Sequence, residues 1–434
     1  MKFIEVVNNN LENVEKIIFL EYDNSTTEDI EKKVFEIGIN IKKDGFKALQ
    51  EYTLKFDNFN ITEQNLRVKR EEIEKLSSKI DNNLDKALKV AIKRVFDFHK
   101  REKEKGFVFK DKEGNKMGQK VVPLESVGVY IPGGRALYPS TIYMTIIPAI
   151  IAGVKRIVVV SPPRTFVESV EVARVLEILN IDEIYRIGGA QSIFSLAYGV
   201  QGIKPVDKIV GPGNIYVTKA KQIVYGKVDI DMIAGPSEIM IIVDSDKESD
   251  IEIVAMDMLS QAEHDPMARA IIIGKDKEYL NKIVEKAYSI LESLPENLKE
   301  NAKSSLDKNG LAIVCNSDTT IVDVVNIVAP EHLEIFSKKP DRFLKGIRNC
   351  GSVFLGRWTP ESVGDYLGGP NHVLPTLRTA RFYSPLGVYD FQKRFSFIEF
   401  NKNSLRKYYK DISILARKEN LEAHARSTEI RFKE

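Results

Sequence analysis

The sequence predicts an α/β protein: two tandem, doubly wound parallel sheets, preceded by a helical N-terminal segment and followed by a C-terminal tail. Two observations carry this. From Ser126 onward, short β-branched runs alternate with stretches of helical periodicity, the pattern of parallel strands joined by crossover helices. Before that, the first 120 residues are rich in Lys and Glu with apolar positions at helical spacing, as in EDIEKKVFEIGINIKKDGFKALQEYTLKF and LDKALKVAIKRVFDFHKREKEKG. Their charge runs read as solvated faces of amphipathic helices.

Taken in order, the first unit reads SVGVYIP (strand), PSTIYMTIIPAIIAG (helix), RIVVVSPP, VESVEVARVLEIL, EIYRIGG, AQSIFSLAYG, KIVGPG and NIYVTKAKQIVYG. The second reads EIMIIVD, a helix through ESDIEIVAMDMLSQAEH, ARAIIIG, a helix through DKEYLNKIVEKAYSILESL, LAIVCNS, TIVDVVNIVAPEHLEIF and GSVFLG. Beyond about Phe382 the tail runs SPLGVYDFQKRFSFIEFN and then the helical LRKYYKDISILARKENLEAHARSTEIR. The cleft between the units, at strand C-termini, is the expected ligand site.

The 434 residues suit about two to three domains. With 64 Lys+Arg against 62 Asp+Glu, no basic face for nucleic acid is expected. The most apolar run, Thr141 to Val154, has 14 residues and contains Pro148, whereas a bilayer span needs roughly 20. Acidic residues interrupt the N-terminus where an export signal needs an apolar stretch. Two cysteines, Cys315 and Cys350, make no disulfide framework and suit a reducing compartment. A soluble, cytoplasmic protein is expected.

Histidine is scarce: His99, His264, His332, His372 and His424. His99 reads as a surface or packing residue. The other four lie in polar, glycine-rich segments beside carboxylates, which favours an active site with room for a metal. Gln261 and His264 are three apart at the end of a predicted helix and share a face. That is not HExxH spacing, so a metal would need distant ligands, with Asp365 and His424 as candidates. Imidazole and carboxylate suit Zn²⁺; a glutamine oxygen is an unusual ligand. Glu331-His332 follows Pro330, which fits a first helical turn and a neutral imidazole able to accept a proton. Taken alone, the pair is better explained as a capping glutamate beside a packing histidine.

Glycine loops (IPGGRALYPS, IGGAQS, VGPGN, AGPSE, YLGGPN) put exposed N–H groups at strand ends. None is GxGxxG, so a nucleotide-sized ligand is supported but not identified. Trp358 reads as packing.

Together these segments resemble the histidinol dehydrogenases from about Glu125 to Arg431. The strongest match is DMIAGPSEIMIIVDSDKESDIEIVAMDMLSQAEHDP, joined in order by GVYIPGGRALYPS, GGAQS, VGPGN, APEHLE, TPESVGDYLGGPNHVLPT and TARFYSPLGVYDF. The resemblance implies a zinc-dependent, NAD-linked four-electron oxidation of L-histidinol through histidinal to L-histidine, on two incomplete Rossmann-like domains. It implies Gln261, His264, Asp365 and His424 as ligands of one zinc per subunit. Glu331 and His332 are implied as the catalytic pair, and Tyr130, Gln191 and Asn214 as NAD contacts. Ser237, His372 and Glu419 are implied to contact substrate, as are the four zinc ligands and the catalytic pair.

The resemblance further implies a homodimer whose tail crosses to the other subunit, with His424, Glu419, Glu331 and His332 serving the partner's site. It divides the chain into a helical segment (1–24), a discontinuous domain (25–129 with 237–381), an NAD domain (130–236) and a dimerisation tail (382–434). Leu377, Arg378 and Arg426 depart from the family pattern and bear on local loop shape. Two other readings compete: a zinc hydrolase in which Glu331 activates water, and a catalytically silent zinc- or nucleotide-binding dimer.

Overall fold

The structure is a computed structural model that describes residues 1–6, 11–19, 27–133, 138–233 and 235–433. In chain order its strands are β1 (Lys2–Val6), β2 (Phe107–Lys110), β3 (Lys116–Pro123), β4 (Ser126–Tyr130), β5 (Arg156–Ser161), β6 (Glu183–Arg186) and β7 (Lys208–Val210). They continue with β8 (Asp229–Ile230), β9 (Glu238–Asp244), β10 (Arg269–Gly274), β11 (Leu311–Cys315), β12 (His332–Ser337), β13 (Ser352–Leu355) and β14 (Gln392–Glu399). Two sheets are wholly parallel: one in the order β1-β11-β10-β9-β12-β13, the other β6-β5-β4-β7-β8. A third, antiparallel, has the order β14-β3-β2.

The parallel strands are continuous apolar runs because helices cover both faces. In β9 alternate residues divide between two cores: Ile239, Ile241 and Val243 on one side, Met240 and Ile242 on the other. The five-stranded sheet divides likewise, with Val127, Val129 and Val159 facing one helical layer and Val158 and Val160 the other. The apolar run around Pro148 is the helix Pro139–Ala152, buried on nearly every side against this sheet. Among the described residues no helix is long and apolar enough to cross a membrane.

Three expectations change. Residues 1–24 are not simply helical, since β1 forms an edge of the six-stranded sheet ahead of helix Glu12–Phe19. Residues 107–123 form the hairpin β2–β3, not a helix. The helices between 27 and 99 pack on the five-stranded sheet, not with the sheet of 237–381: Val34, Ile37 and Leu49 share a core with Val158 and Phe194, and Leu88, Ile92 and Val95 share one with Val127 and Ile142. Helical periodicity shows that a stripe must be buried; it does not say against which sheet.

Other details follow. His99 is a packing histidine, buried, with Nδ1 2.7 Å from Glu102 Oε2. Trp358 is not packing: it is 86% exposed. Leu377 and Arg378 both adopt left-handed backbone (φ 54° and 63°), where small residues are easier to place. Arg426 pairs with Glu422 one helical turn away. Part of the loop IPGGRALYPS (134–137) and Ala234 of AGPSE lie outside the described residues.

Phe194 fastens the N-terminal helices to the five-stranded sheet. It is fully buried, and a Cβ on Gly38 of helix Thr27–Asp44 would come within 2.7 Å of its ring. Phe194→Ala is expected to cost about 3–5 kcal/mol, read as a lower denaturant midpoint with an unchanged far-UV spectrum in buffer.

Candidate active site

A cleft of about 190 Å³ lies between the two parallel sheets. The five-stranded sheet approaches it with strand C-termini: Gly211 and Pro212 follow β7, and Asp231 follows β8. The six-stranded sheet instead presents N-terminal edges, with Ser237 before β9 and Glu331-His332 at the start of β12. The expectation of strand C-termini holds for one wall only. Helix Glu248–Ala262 runs back against the strands, so its last turn, with Gln261 and then His264, returns to that same edge.

Glu331 and His332 are therefore not in a first helical turn. After Pro330 the chain enters β12, where His332 is in register with Ile239 and Ser352. The neutral imidazole expected of a helix start arises from another cause. Burial pushes His332 down to about 3, and nearby His372 and His264 disfavour the cation further. Its Nδ1 is 3.1 Å from the Glu238 carbonyl. The Gln261 amide, with nitrogen turned inward, donates to Glu361 Oε1 (2.9 Å) and to that carbonyl (3.2 Å). The same amide end lies 3.0 Å from His332 Nδ1, and a bond there would require the proton on Nε2. A carbonyl can only accept, so we assign the proton to Nδ1 and the lone pair to Nε2. Nε2 is buried and has no hydrogen-bond partner; the nearest acid is Asp365, 3.9 Å away.

Around this ring stands a set of carboxyl groups with little counter-charge. Glu331 Oε2 accepts from the Glu238 N–H (2.9 Å), and burial, with Glu238 and Asp365 nearby, holds its carboxyl well above the usual range. Glu361 is likewise raised by burial, and its N–H donates to Glu334 Oε1 (2.8 Å). Burial pushes Asp365 up to about 6 and Glu238 up to about 7. His264 stands at the solvent side of the cleft, yet enough protein surrounds it to lower its pKa. On the opposite wall the buried pair Lys221–Asp231 braces the glycine loop: Lys221 Nζ donates to the Gly211 carbonyl (3.0 Å), and the Gly211 N–H donates to Asp231 Oδ2 (2.8 Å). Gly211 has φ 113° and packs so closely on the Tyr130 carbonyl that no side chain fits.

His372 reaches the cleft through a chain of backbone consequences. Pro148 lacks the N–H that would bond the Met144 carbonyl within helix Pro139–Ala152. Asn371 Nδ2 donates to that freed carbonyl instead (2.6 Å). The neighbouring His372 then sets Nδ1 3.1 Å from the Asp365 carbonyl. Asp365 itself sits in a π-helical turn, Val363–Leu367, a local widening that recurs at functional sites.

Of the residues singled out in the sequence, Ser237, Gln261, His264, Glu331, His332, Asp365 and His372 line this one cleft. Glu331 and His332 meet Gln261 and Asp365 within one chain, which corrects the expectation that they serve a partner's site. Tyr130, Gln191 and Asn214 come together in a different, larger cavity of about 720 Å³ at the C-terminal ends of β4 to β7. His424, in helix Glu422–Glu429, and Glu419, just after helix Lys402–Lys418, are exposed and line neither cavity.

Sequence reasoning missed Glu361, Glu238, Lys221 and Asp231. Only Glu361 carried a usable signal, lying four residues before Asp365 in ESVGD. Among the described residues, the group whose ligand atoms lie within 4.8 Å of one another is His332, Glu361 and Asp365. A cation suits this cleft, since it would meet carboxyl, imidazole and amide donors, the unpartnered Nε2 of His332 and the buried acids Glu331 and Glu361.

The family model described as histidinol dehydrogenase matches residues 20–432. The histidinol dehydrogenase of Listeria monocytogenes is 45% identical over 405 residues, 93% of each chain. That of Bacillus licheniformis is 46% identical over 409 residues, 94% of this chain and 95% of its own. A crystal structure of histidinol dehydrogenase from Elizabethkingia anophelis superposes with a TM-score of 0.91 at 33% identity, covering 99% of this chain and 98% of that one. A match across nearly the whole length, in sequence and in fold, means that the chain belongs to the histidinol dehydrogenase family.

Proposed function

We propose that this protein oxidises L-histidinol through L-histidinal to L-histidine with two equivalents of NAD, at a zinc site in the inter-sheet cleft. The observation that carries this reading is the gathering of Gln261, His264, Asp365, Glu331 and His332 on one cleft in a chain of this family. Gln261, His264 and Asp365, with His424 of the partner subunit, would hold Zn²⁺, which would supply a Lewis acid for the substrate's nitrogen donors, and bound NAD would supply the hydride acceptor.

This chain's residues do the proton work. His332, neutral with a free Nε2, accepts the alcohol proton as hydride leaves the carbon, and the aldehyde forms. Burial holds the Glu331 carboxyl well above its ordinary pKa, and positive charge brought beside it would favour the carboxylate that can act as a base. Glu331 then takes a proton from the water that adds to the aldehyde while His332 returns its proton to the carbonyl oxygen, and His332, neutral again, takes a proton from the hydrate as the second hydride passes to a fresh NAD. Ser237 and His372 line the pocket around the substrate, with Glu419 of the partner subunit closing it. The narrow cleft retains the reactive aldehyde between steps. Tyr130, Gln191 and Asn214 hold NAD in the larger cavity.

The homodimer belongs to this proposal. Its support is the apolar surface of the tail, where Phe395, Ile398, Phe400, Ile414 and Leu415 are exposed. A cytoplasmic setting is proposed on the unpaired Cys315 and Cys350. A second metal arrangement, on His332, Glu361 and Asp365, is favoured by the closeness of those three ligand atoms. Hydrolysis at the same site would release product without NADH.

The first measurement is NADH formed per histidinol consumed. Two, abolished by chelation and restored by zinc, is the expected result; none from folded, zinc-loaded protein overturns the assignment. Zinc content separates the ligand sets: His264→Ala should lose the metal, whereas Glu361→Gln should keep it, and the reverse would favour the second arrangement. His332→Ala should retain zinc and slow both oxidations by roughly 10²–10⁴. Mixing His424→Ala with His332→Ala subunits should restore one intact site per heterodimer, about a quarter of the sites after random pairing; no recovery argues against the crossed tail.

A further inference from the structure

The larger cavity contains an acid that the NAD contacts named above do not include. Asp57 is the last residue of helix Phe46–Asp57, which ends at Asn58 in left-handed conformation. It lines the cavity together with Tyr130, Gln191 and Asn214. Its Oδ2 is shielded from solvent and has no hydrogen-bond partner. Gln191, 1% exposed, is in the same condition, with neither amide atom partnered. Buried polar groups normally find partners, so an acid and an amide left without them on one cavity wall call for donors and acceptors brought by a ligand.

Charge narrows the class of ligand. Asp57 sits at the carbonyl end of its helix, where the backbone dipole is negative, and among the described residues its carboxylate forms no ion pair. Burial alone has pushed its pKa up to about 6, and hydroxyl donors would favour the ionised form. Beside it, Tyr52 and Phe56 of the same helix stack in parallel (5.7 Å, 12°) and line the cavity, offering a flat apolar wall. A carboxylate beside such a wall matches a sugar diol attached to a planar base. It opposes a phosphate at the same place, because two anions would then meet at a negative helix end.

We propose that Asp57 accepts hydrogen bonds from a ribose diol of the dinucleotide and thereby selects NAD over NADP. The proposal rests on the reading of this cavity as the NAD site. It would make Asp57 the specificity-determining residue, in a place unlike the acid that follows a GxGxxG turn, a motif this chain lacks. Lys33 and Lys55 also line the cavity and are the groups that could instead welcome a 2′-phosphate.

The test is calorimetric titration of NAD and of NADP into the zinc-loaded protein without histidinol, comparing wild type, Asp57→Asn and Gln191→Ala. The isosteric Asp57→Asn should bind NAD roughly 10- to 100-fold more weakly, the range of one charge-assisted hydrogen bond. It should bind NADP no more weakly than wild type does, so the preference narrows. Wild type binding NADP as tightly as NAD, or Asp57→Asn leaving both affinities unchanged while Gln191→Ala weakens NAD, overturns the role of Asp57 alone. If wild type binds NAD and Gln191→Ala leaves that affinity intact as well, the cavity itself is misassigned. An unchanged unfolding midpoint in Asp57→Asn separates lost contact from lost fold.

Discussion

The structure depends on holding an imidazole and several carboxyl groups out of water at the seam between two parallel sheets. His332, Glu331, Glu361 and Glu238 are all buried, with Asp365 half-buried beside them. Taken without a cation, such a set favours neutral forms: the acids rise and the imidazole falls. That condition is costly for folding and useful for chemistry. It leaves a lone pair on His332 Nε2 and a store of carboxylate charge that a metal can draw out.

What keeps these groups buried is backbone. The start of β12 is held between β9 and β13, so the backbone of His332 cannot move away without breaking two ladders. The Glu238 backbone, at the start of β9, holds both residues: its N–H donates to Glu331 and its carbonyl accepts from His332. Gln261 arrives because a helix antiparallel to the strands must end where they begin. His372 arrives because a proline inside a buried helix frees one carbonyl for Asn371. The cleft thus borrows rigidity from both sheets, and sites on regular elements keep their geometry better than sites on loops.

The two cavities lie at opposite ends of their strands. The larger one lies at the C-terminal ends of β4 to β7, where open parallel sheets ordinarily take ligands. The smaller one uses the opposite edge of the other sheet. Tandem repetition of similar units therefore does not mean repetition of sites. Gly211 links the two cavities: it lines the cleft and rests on Tyr130, which lines the dinucleotide-sized cavity.

By itself the sequence determined the α/β class, the strand–helix alternation from Ser126, and the cluster of motifs that marks the family. These are readable because periodicity and turn chemistry are local, and because motif blocks in a fixed order are specific. It also named seven residues of the cleft, Ser237, Gln261, His264, Glu331, His332, Asp365 and His372, through the resemblance more than through spacing. Only tertiary structure decided which sheet the N-terminal helices cover, that Glu331-His332 opens a strand, and that this pair meets Asp365 and Gln261 within one chain. It also decided that Glu361 lines the cleft and Asp57 the larger cavity, while Trp358 faces water. Each of those is a matter of partners far away in sequence. A helical stripe, a Pro-Glu-His triplet or a lone tryptophan satisfies its local preferences in several settings, and burial against distant elements selects one.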